Sequence, residues 1–298
     1  MTAPAPARGL IALLRLPYWL MTGGLSLLTA FAVLSISKNP LSLNVQTVVL
    51  IFFSMAFITS AGFAINDYFD RESDAVIKPK RPIPSGSLSL KQVVAVSAVL
   101  FVLGLILASY INLLSFVIIA VDSTLLLVYS TVVKRKSGFV ANVLIGILTG
   151  TAFLFGEATV SVPPTISLIS LSLYPIAFGT IGGNLLRDVL SLEGDSKVGY
   201  PTLPQKIGIR ASEKIAALFF ILTGVFAPLP YLLHYFNVYY LSLILLWSVT
   251  LICSSVLLLV KGSAIGNVRK YERVVTMSMI LLPLALIIQA LSPIWGGA

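Results

Sequence analysis

The sequence predicts an all-α, multi-pass membrane protein with nine transmembrane helices, its N-terminus in the cytoplasm and its C-terminus outside. Three observations lead there. Of 298 residues, 57% are hydrophobic and 10% charged, with a mean hydropathy of +0.99, whereas a soluble chain carries about 25% charged residues. The apolar residues gather into nine runs, near 10–36, 44–66, 90–111, 113–133, 139–157, 164–187, 213–234, 239–260 and 274–294, each near the roughly 20 residues that cross a bilayer as a helix. Of the 20 Lys and Arg, 19 lie in the N-terminal segment and in 67–91, 134–136, 187–214 and 261–273, leaving only Lys38 for the other side. The excess of basic residues in cytoplasmic loops makes those segments cytoplasmic. Nine spans satisfy this arrangement, and removing one would scatter the basic segments over both faces.

The elements follow in order. The first run is preceded by Arg8 and interrupted by Arg15 without a small-residue cleavage site, so it reads as a helix that stays rather than a signal peptide. The third and fourth runs nearly fuse through Ser109-Tyr110-Ile111-Asn112, but together they are too long for one helix. The fourth closes on Lys134-Arg135-Lys136, and the second and sixth close on clusters of acids. No linker interrupts the chain, so 1–298 reads as a single intramembrane domain. The lone Cys253 excludes an internal disulfide, and the lone His234 weighs against a histidine metal centre. Cys253 is expected in the core and His234 at the interface. The pI near 9.7 does not point to nucleic acid, because the basic residues sit in short tracts between apolar runs. Anionic lipid headgroups or a phosphorylated substrate fit those tracts better.

The acids carry most of the functional signal. Asp67, Asp70, Glu72 and Asp74 close the second span and Asp188, Glu193 and Asp195 close the sixth, so seven of the 11 acids occupy two short windows on the predicted cytoplasmic side. At about 100° per residue, Asn66, Asp67, Asp70 and Asp74 share one helix face. Asn184, Asp188, Ser191 and Asp195 share another, while Glu72 and Glu193 point elsewhere. Carboxylates crowded at a bilayer need compensating positive charge. Oxygen donors without His or Cys favour a hard ion such as Mg2+, which binds substrate phosphates together with one or two carboxylates. Two facing windows therefore suit a diphosphate held between magnesium ions. Arg71, Lys78, Lys80 and Arg81 follow the first window, Arg187 and Lys197 flank the second, and Lys134 ends the fourth span. Such groups can clamp phosphate oxygens.

The run Asn66-Asp67-Tyr68-Phe69-Asp70-Arg71-Glu72-Ser73-Asp74, followed by Arg81-Pro82-Ile83-Pro84-Ser85-Gly86, resembles the first signature of the intramembrane prenyltransferases of the UbiA superfamily. Tyr129-Ser130 with Lys134 resembles the family's tyrosine and lysine at the end of helix four. Glu193-Gly194-Asp195-Ser196-Lys197-Val198-Gly199 with Thr202-Leu203-Pro204 resembles its second signature. The likeness covers about residues 10 to 290. It departs at Ser191, where the usual D-x-x-x-D would begin with an acid; Asp188, one turn earlier on the same face, takes that place. The element Arg15-Leu16-Pro17-Tyr18 also lacks the asparagine common in the family, so no role carries over to Arg15.

The resemblance implies transfer of a prenyl group from an isoprenoid diphosphate to a lipid or other membrane-soluble acceptor. It implies Asn66, Asp70, Asp74, Asp188 and Asp195 as Mg2+ ligands, and Asp67, Asp70, Asp188 and Asp195 as catalytic groups. Arg71, Lys78, Arg81, Tyr129, Lys134, Arg187 and Lys197 then bind substrate. Within the family the combined motifs, with Thr149-Gly150-Thr151-Ala152-Phe153-Leu154-Phe155-Gly156, look most like members that join a geranylgeranyl group to the hydroxyl of geranylgeranylglyceryl phosphate in archaeal ether-lipid synthesis. Aromatic-acceptor and chlorin prenyltransferases are the rival reading. A cation transporter is a remote one, because its acids belong near the bilayer midplane rather than at helix ends. Asp122, inside the fourth span, is expected in a polar contact between helices, and Glu157 as a solvated helix end on the opposite side.

Overall fold

A computed structural model of the chain describes residues 5–37, 43–261 and 264–295, and among them every regular element is a helix. Nine of these are long and apolar enough to cross a membrane: α1 (Pro6–Ile36), α2 (Val45–Phe69), α3 (Leu90–Ser109), α4 (Leu113–Lys136), α5 (Gly138–Val160), α6 (Leu168–Lys197), α7 (Ile209–Leu232), α8 (Val238–Lys261) and α9 (Ile265–Ile294). The nine expected spans are present. The largest extensions beyond the apolar runs are in α6, which continues to Lys197, and α9, which begins at Ile265 rather than near 274. Apolarity marks only the length that must face lipid, whereas the helical backbone satisfies its own hydrogen bonds and can continue into the polar boundary. Lys38, the basic residue expected on the far side, lies outside the described residues.

Three local features set the frame of the bundle. The α3–α4 junction is a true break: Asn112 accepts from the Ser115 backbone N–H to start α4, and its amide donates to the Ala158 carbonyl at 2.8 Å. In α1, Arg15 has φ 50 and Pro17 opens the second half of the helix. At this break the Tyr18 N–H, four residues on from Leu14, bonds to the Arg15 carbonyl at 2.9 Å, so the Leu14 carbonyl is left to side chains. Ser60 Oγ donates to it at 2.6 Å and Trp19 Nε1 at 3.2 Å. At the end of α4, Tyr129–Val133 forms a π-helical turn, which widens the helix just before Lys134.

Successive helices pack side by side, and α1 also packs against α5 and α9, which places it at the centre. Two close approaches hold it there. A Cβ at Gly156 of α5 would lie 2.5 Å from the Ser26 carbonyl oxygen, and one at Gly23 of α1 would lie 2.5 Å from that of Phe52. Only glycine lets the backbones approach so closely. One core cluster fills the α5–α9 side around Phe153, Leu185, Phe220, Tyr240 and Trp247, and another fills the α1–α5 side around Ile51, Met55, Ile119 and Phe155. Exposed apolar residues such as Leu20, Leu113 and Val260 form the surface that lipid covers.

Two expectations are corrected. Glu157 is buried rather than solvated: its carboxylate accepts from the backbone N–H and hydroxyl of both Ser167 and Ser170. An acid at this point satisfies the free N–H groups that open α6. Cys253 is exposed on α8, not in the core, because a lipid-facing helix side is as apolar as a packed one and composition does not separate them. Asp122 makes the expected interhelical contact, accepting from Thr151 Oγ1 of α5 at 2.7 Å.

Candidate active site

The last turn of α2 carries the first acidic window into a short helix, Arg71–Ile77. The backbone bonds Asp70 N–H to Asn66 O (2.9 Å) and Asp74 N–H to Asp70 O (2.8 Å) keep the helical register across the junction. Asn66, Asp70 and Asp74 therefore stay on one face. Asp67, Asp70 and Asp74 are all buried, and each carboxylate is paired. Arg15 Nη2 donates to Asp67 at 2.6 Å, and Arg81 Nη1 donates to Asp67 at 2.9 Å and to Asp74 at 2.5 Å. Lys134 Nζ donates to Asp70, as does the Asn66 amide at 2.8 Å. The Arg-Pro-Ile-Pro-Ser-Gly segment explains the position of Arg81. Its tight turn, with Ser85 N–H on the Arg81 carbonyl and Gly86 at φ 72, folds the arginine back over the acids.

The second window lies on the continuous helix α6, and its two same-face acids, Asp188 and Asp195, have neutral partners. Asp188 accepts from Asn142 of α5 at 2.7 Å, and Asp195 accepts from Ser191 one turn earlier. Among the described residues neither has a Lys or Arg within ion-pair distance.

Tyr200 joins the windows. After α6, Gly199 takes φ 71 and the Tyr200 N–H returns to the Asp195 carbonyl at 3.0 Å. The ring then crosses to the first window, where its hydroxyl donates to Asp70 at 2.5 Å and lies 3.0 Å from Ser73 Oγ. Burial, followed by the hydrogen bond to Asp70, raises the Tyr200 pKa, so the phenol stays protonated. Lys134 Nζ lies 4.9 Å from the centre of the same ring. Tyr129 is within electrostatic reach of both Asp70 and Asp188, and Lys134 within reach of Asp188. The π-helical turn thus sets two α4 side chains between the windows.

With this geometry in place, the profile of the UbiA prenyltransferase family matches residues 24–291. The chain belongs to the UbiA prenyltransferase family. It is similar to the digeranylgeranylglyceryl phosphate synthase of Methanococcoides burtonii, 36% identical over 222 residues that make up 74% of this chain and 78% of that protein. A solved structure described as giving insights into digeranylgeranylglyceryl phosphate synthase in membranes superposes with a TM-score of 0.77 at 29% identity, over 96% of this chain and 99% of that one. A UbiA homolog from Archaeoglobus fulgidus, bound to DMAPP and Mg2+, shares the fold at 20% identity and a TM-score of 0.61, over 93% of this chain and 98% of that chain. As a UbiA protein the chain is a membrane prenyltransferase.

On this UbiA scaffold the residues named from sequence fall into two groups. Asn66, Asp67, Asp70, Asp74, Arg81, Lys134 and Tyr129 come together, with Asp188 and Asp195 beyond them and Lys78 at the edge. Arg71, Arg187 and Lys197 do not join them. Arg71 donates to the Tyr68 carbonyl and to Glu72, Arg187 reaches Asn184 and Glu272, and Lys197 pairs with Glu193 one turn away. Their helix phase turns them outward, which proximity in sequence to the acids does not reveal. Glu72 and Glu193 are highly exposed, at 86% and 90%.

Sequence reasoning missed Tyr200 and Asn142 and assigned nothing to Arg15. Tyr200 lies between Gly199 and Thr202 of the second signature, so the motif bracketed it. Asn142 is a polar residue within an apolar span, a usual mark of contact between membrane helices. Arg15 had the same kind of signal in an interrupted α1.

The donor set is all oxygen. Asn66 Oδ1 is buried without a hydrogen-bond partner, and among the described residues Asp188 and Asp195 accept hydrogen bonds from neutral side chains and form no ion pair. Among the described residues no three acidic, imidazole or thiol groups converge to hold an ion alone. These donors fit a hard divalent ion whose coordination shell a diphosphate completes.

Proposed function

We propose that this prenyltransferase moves a geranylgeranyl group from its diphosphate to the hydroxyl of geranylgeranylglyceryl phosphate, with Mg2+, at a site facing the cytoplasm. The observation that carries the reading is the junction at Tyr200 and Lys134, where two acidic windows of unequal charge balance meet at one end of an apolar bundle. The name of the M. burtonii relative supports the acceptor, and the Mg2+ in the A. fulgidus homolog supports the metal. The basic segments favour the cytoplasmic side for the site.

The reaction breaks the allylic carbon–oxygen bond of the donor. The electron pair leaves with the diphosphate, an ether bond forms to the acceptor oxygen, and the hydroxyl proton is released. Asn66, Asp70, Asp74, Asp188 and Asp195 would hold Mg2+, whose positive charge would stabilise the leaving diphosphate. Lys134 and Arg81, now donating to Asp70 and Asp74, are placed to donate to phosphate oxygens. Tyr200, protonated, is a further donor beside Asp70. The helices around the site keep water from the allylic carbon until the acceptor reaches it.

Purified protein in detergent, given radiolabelled geranylgeranyl diphosphate and geranylgeranylglyceryl phosphate, should form the diether phosphate with Mg2+ and none after chelation. Prenylation of hydroxybenzoate, naphthoate or chlorophyllide in place of the glyceryl phosphate would overturn the acceptor assignment. Product formed equally well under chelation would overturn the metal.

A further inference from the structure

Four basic residues line a cleft of about 460 Å³ that has Asp67 in its wall, and the donor chemistry uses only Arg81 among them. The cleft lies between α1 and the segment after the first acidic window, and Ala12, Arg15, Tyr18, Asp67, Lys78, Lys80, Arg81 and Pro82 form its walls. Arg15 and Arg81 both spend a guanidinium N–H on Asp67 Oδ1. Lys78 and Lys80 have no carboxylate partner among the described residues.

The floor is built rather than incidental. Arg15 takes a left-handed backbone conformation at the break in α1, which a non-glycine residue holds only when its surroundings enforce it. Its guanidinium lies 4.3 Å from the Phe63 ring centre, and Tyr18 packs edge-on against the same ring at 4.6 Å. Desolvation, and then the charge of Arg81, holds the Lys78 ammonium below the usual lysine range. Cations gathered in this way attract a multivalent anion. On the outer side, Leu10, Ile11, Leu16, Leu20 and Met21 of α1 are exposed apolar residues, so an anion entering the cleft can carry a hydrocarbon tail along the helix.

We propose that this cleft binds the phosphate of the acceptor lipid, with Lys78 and Lys80 as its free cations and Arg15 and Arg81 as its fixed wall. The inference rests on the reading of the acceptor as a glyceryl phosphate. In such a molecule the free hydroxyl and the phosphate hang on one three-carbon glycerol, so the phosphate must be held within a glycerol's length of the reacting carbon. A cleft that shares Asp67 and Arg81 with the acidic window meets that requirement. The basic groups thereby divide: Lys134 serves the donor, Lys78 and Lys80 serve the acceptor, and Arg81 borders both.

Lys80→Ala tests the assignment, because Lys80 is exposed and its loss leaves no buried group unpaired. With the full-length protein in neutral phosphatidylcholine vesicles, the variant should raise KM for geranylgeranylglyceryl phosphate about tenfold, the scale of one charge-assisted hydrogen bond. KM for the donor and kcat should stay within about twofold, since no donor contact is removed. KM for the dephosphorylated geranylgeranylglycerol should not move, and Lys78→Ala should behave in the same way. If wild type consumes the glyceryl phosphate but the variants change the donor KM or nothing, the cleft assignment falls and the proposed reaction stands. An effect seen only in vesicles containing phosphatidylglycerol would give the cleft to bulk anionic lipid and overturn the proposal. Failure of wild type to use the glyceryl phosphate while it prenylates an aromatic or chlorin acceptor would overturn both.

Discussion

The windows Asn66–Asp74 and Asn184–Asp195 repeat one pattern, an asparagine, an aspartate four residues on and a further acid on the same face, yet they differ in charge. In the first, three buried carboxylates are matched by Arg15, Arg81 and Lys134. In the second, Asp188 and Asp195 accept hydrogen bonds from the neutral side chains of Asn142 and Ser191 and form no ion pair among the described residues. Spacing is thus no guide to electrostatics. The first window is an ion-pair network that also fixes structure, while the second is held by neutral hydrogen bonds, and in the proposed function a metal and diphosphate would draw on both.

The largest effect should come from the uncompensated window. Asp188→Ala is expected to lower kcat/KM by about a thousandfold, the upper range for losing one preorganised electrostatic group, with the melting temperature in detergent unchanged. A melting temperature that falls with activity would mean that the second window is structural like the first. Arg81→Ala should do the reverse of sparing the fold, because it leaves Asp67 and Asp74 buried with less compensation. A loss of about 3 kcal/mol is expected, read as a lower denaturant midpoint, and a stable variant would break the contrast.

Smaller effects sharpen it. Asn142→Ala removes the neutral support of Asp188 and should raise the Mg2+ concentration needed for half-maximal rate by about tenfold or more, as for other groups that orient a metal ligand. Tyr200→Phe keeps the ring beside Lys134 but removes the hydroxyl on Asp70. A loss of about tenfold in kcat/KM is expected from one hydrogen bond to a charged group, and no loss would show that the link between windows is made by packing alone. Glu72→Ala should change activity by less than about twofold, since its ion pair with Arg71 lies at the surface. A severe defect there would overturn the assignment of faces.

Most of the helix framework could be read from the chain, because a bilayer demands apolar runs of a set length and the runs are separated by charged or polar breaks. The faces of Asn66, Asp70 and Asp74 and of Asp188 and Asp195 were also legible, since helical phase follows from spacing once the helix continues. Partner choice was not. Arg71 and Arg81 flank the same acids in sequence, but the proline turn returns only Arg81 to them. Glu157 appeared to belong to solvent because the serines that bury it come from the start of the next helix. Lys134 reaches Asp70 from beyond a π-helical turn, a local widening that carries no compositional mark.

The sequence by itself determined the membrane-spanning helices, the two acidic faces and the family, because these depend on local periodicity, apolar length and short motifs. Only the tertiary structure decided which acids are neutralised, that Tyr200 ties one window to the other, and that Lys78 and Lys80 share a cleft with Arg15. Those outcomes depend on packing between helices far apart in the chain, where an ångström of approach or one turn of rotation selects the partner of a charge.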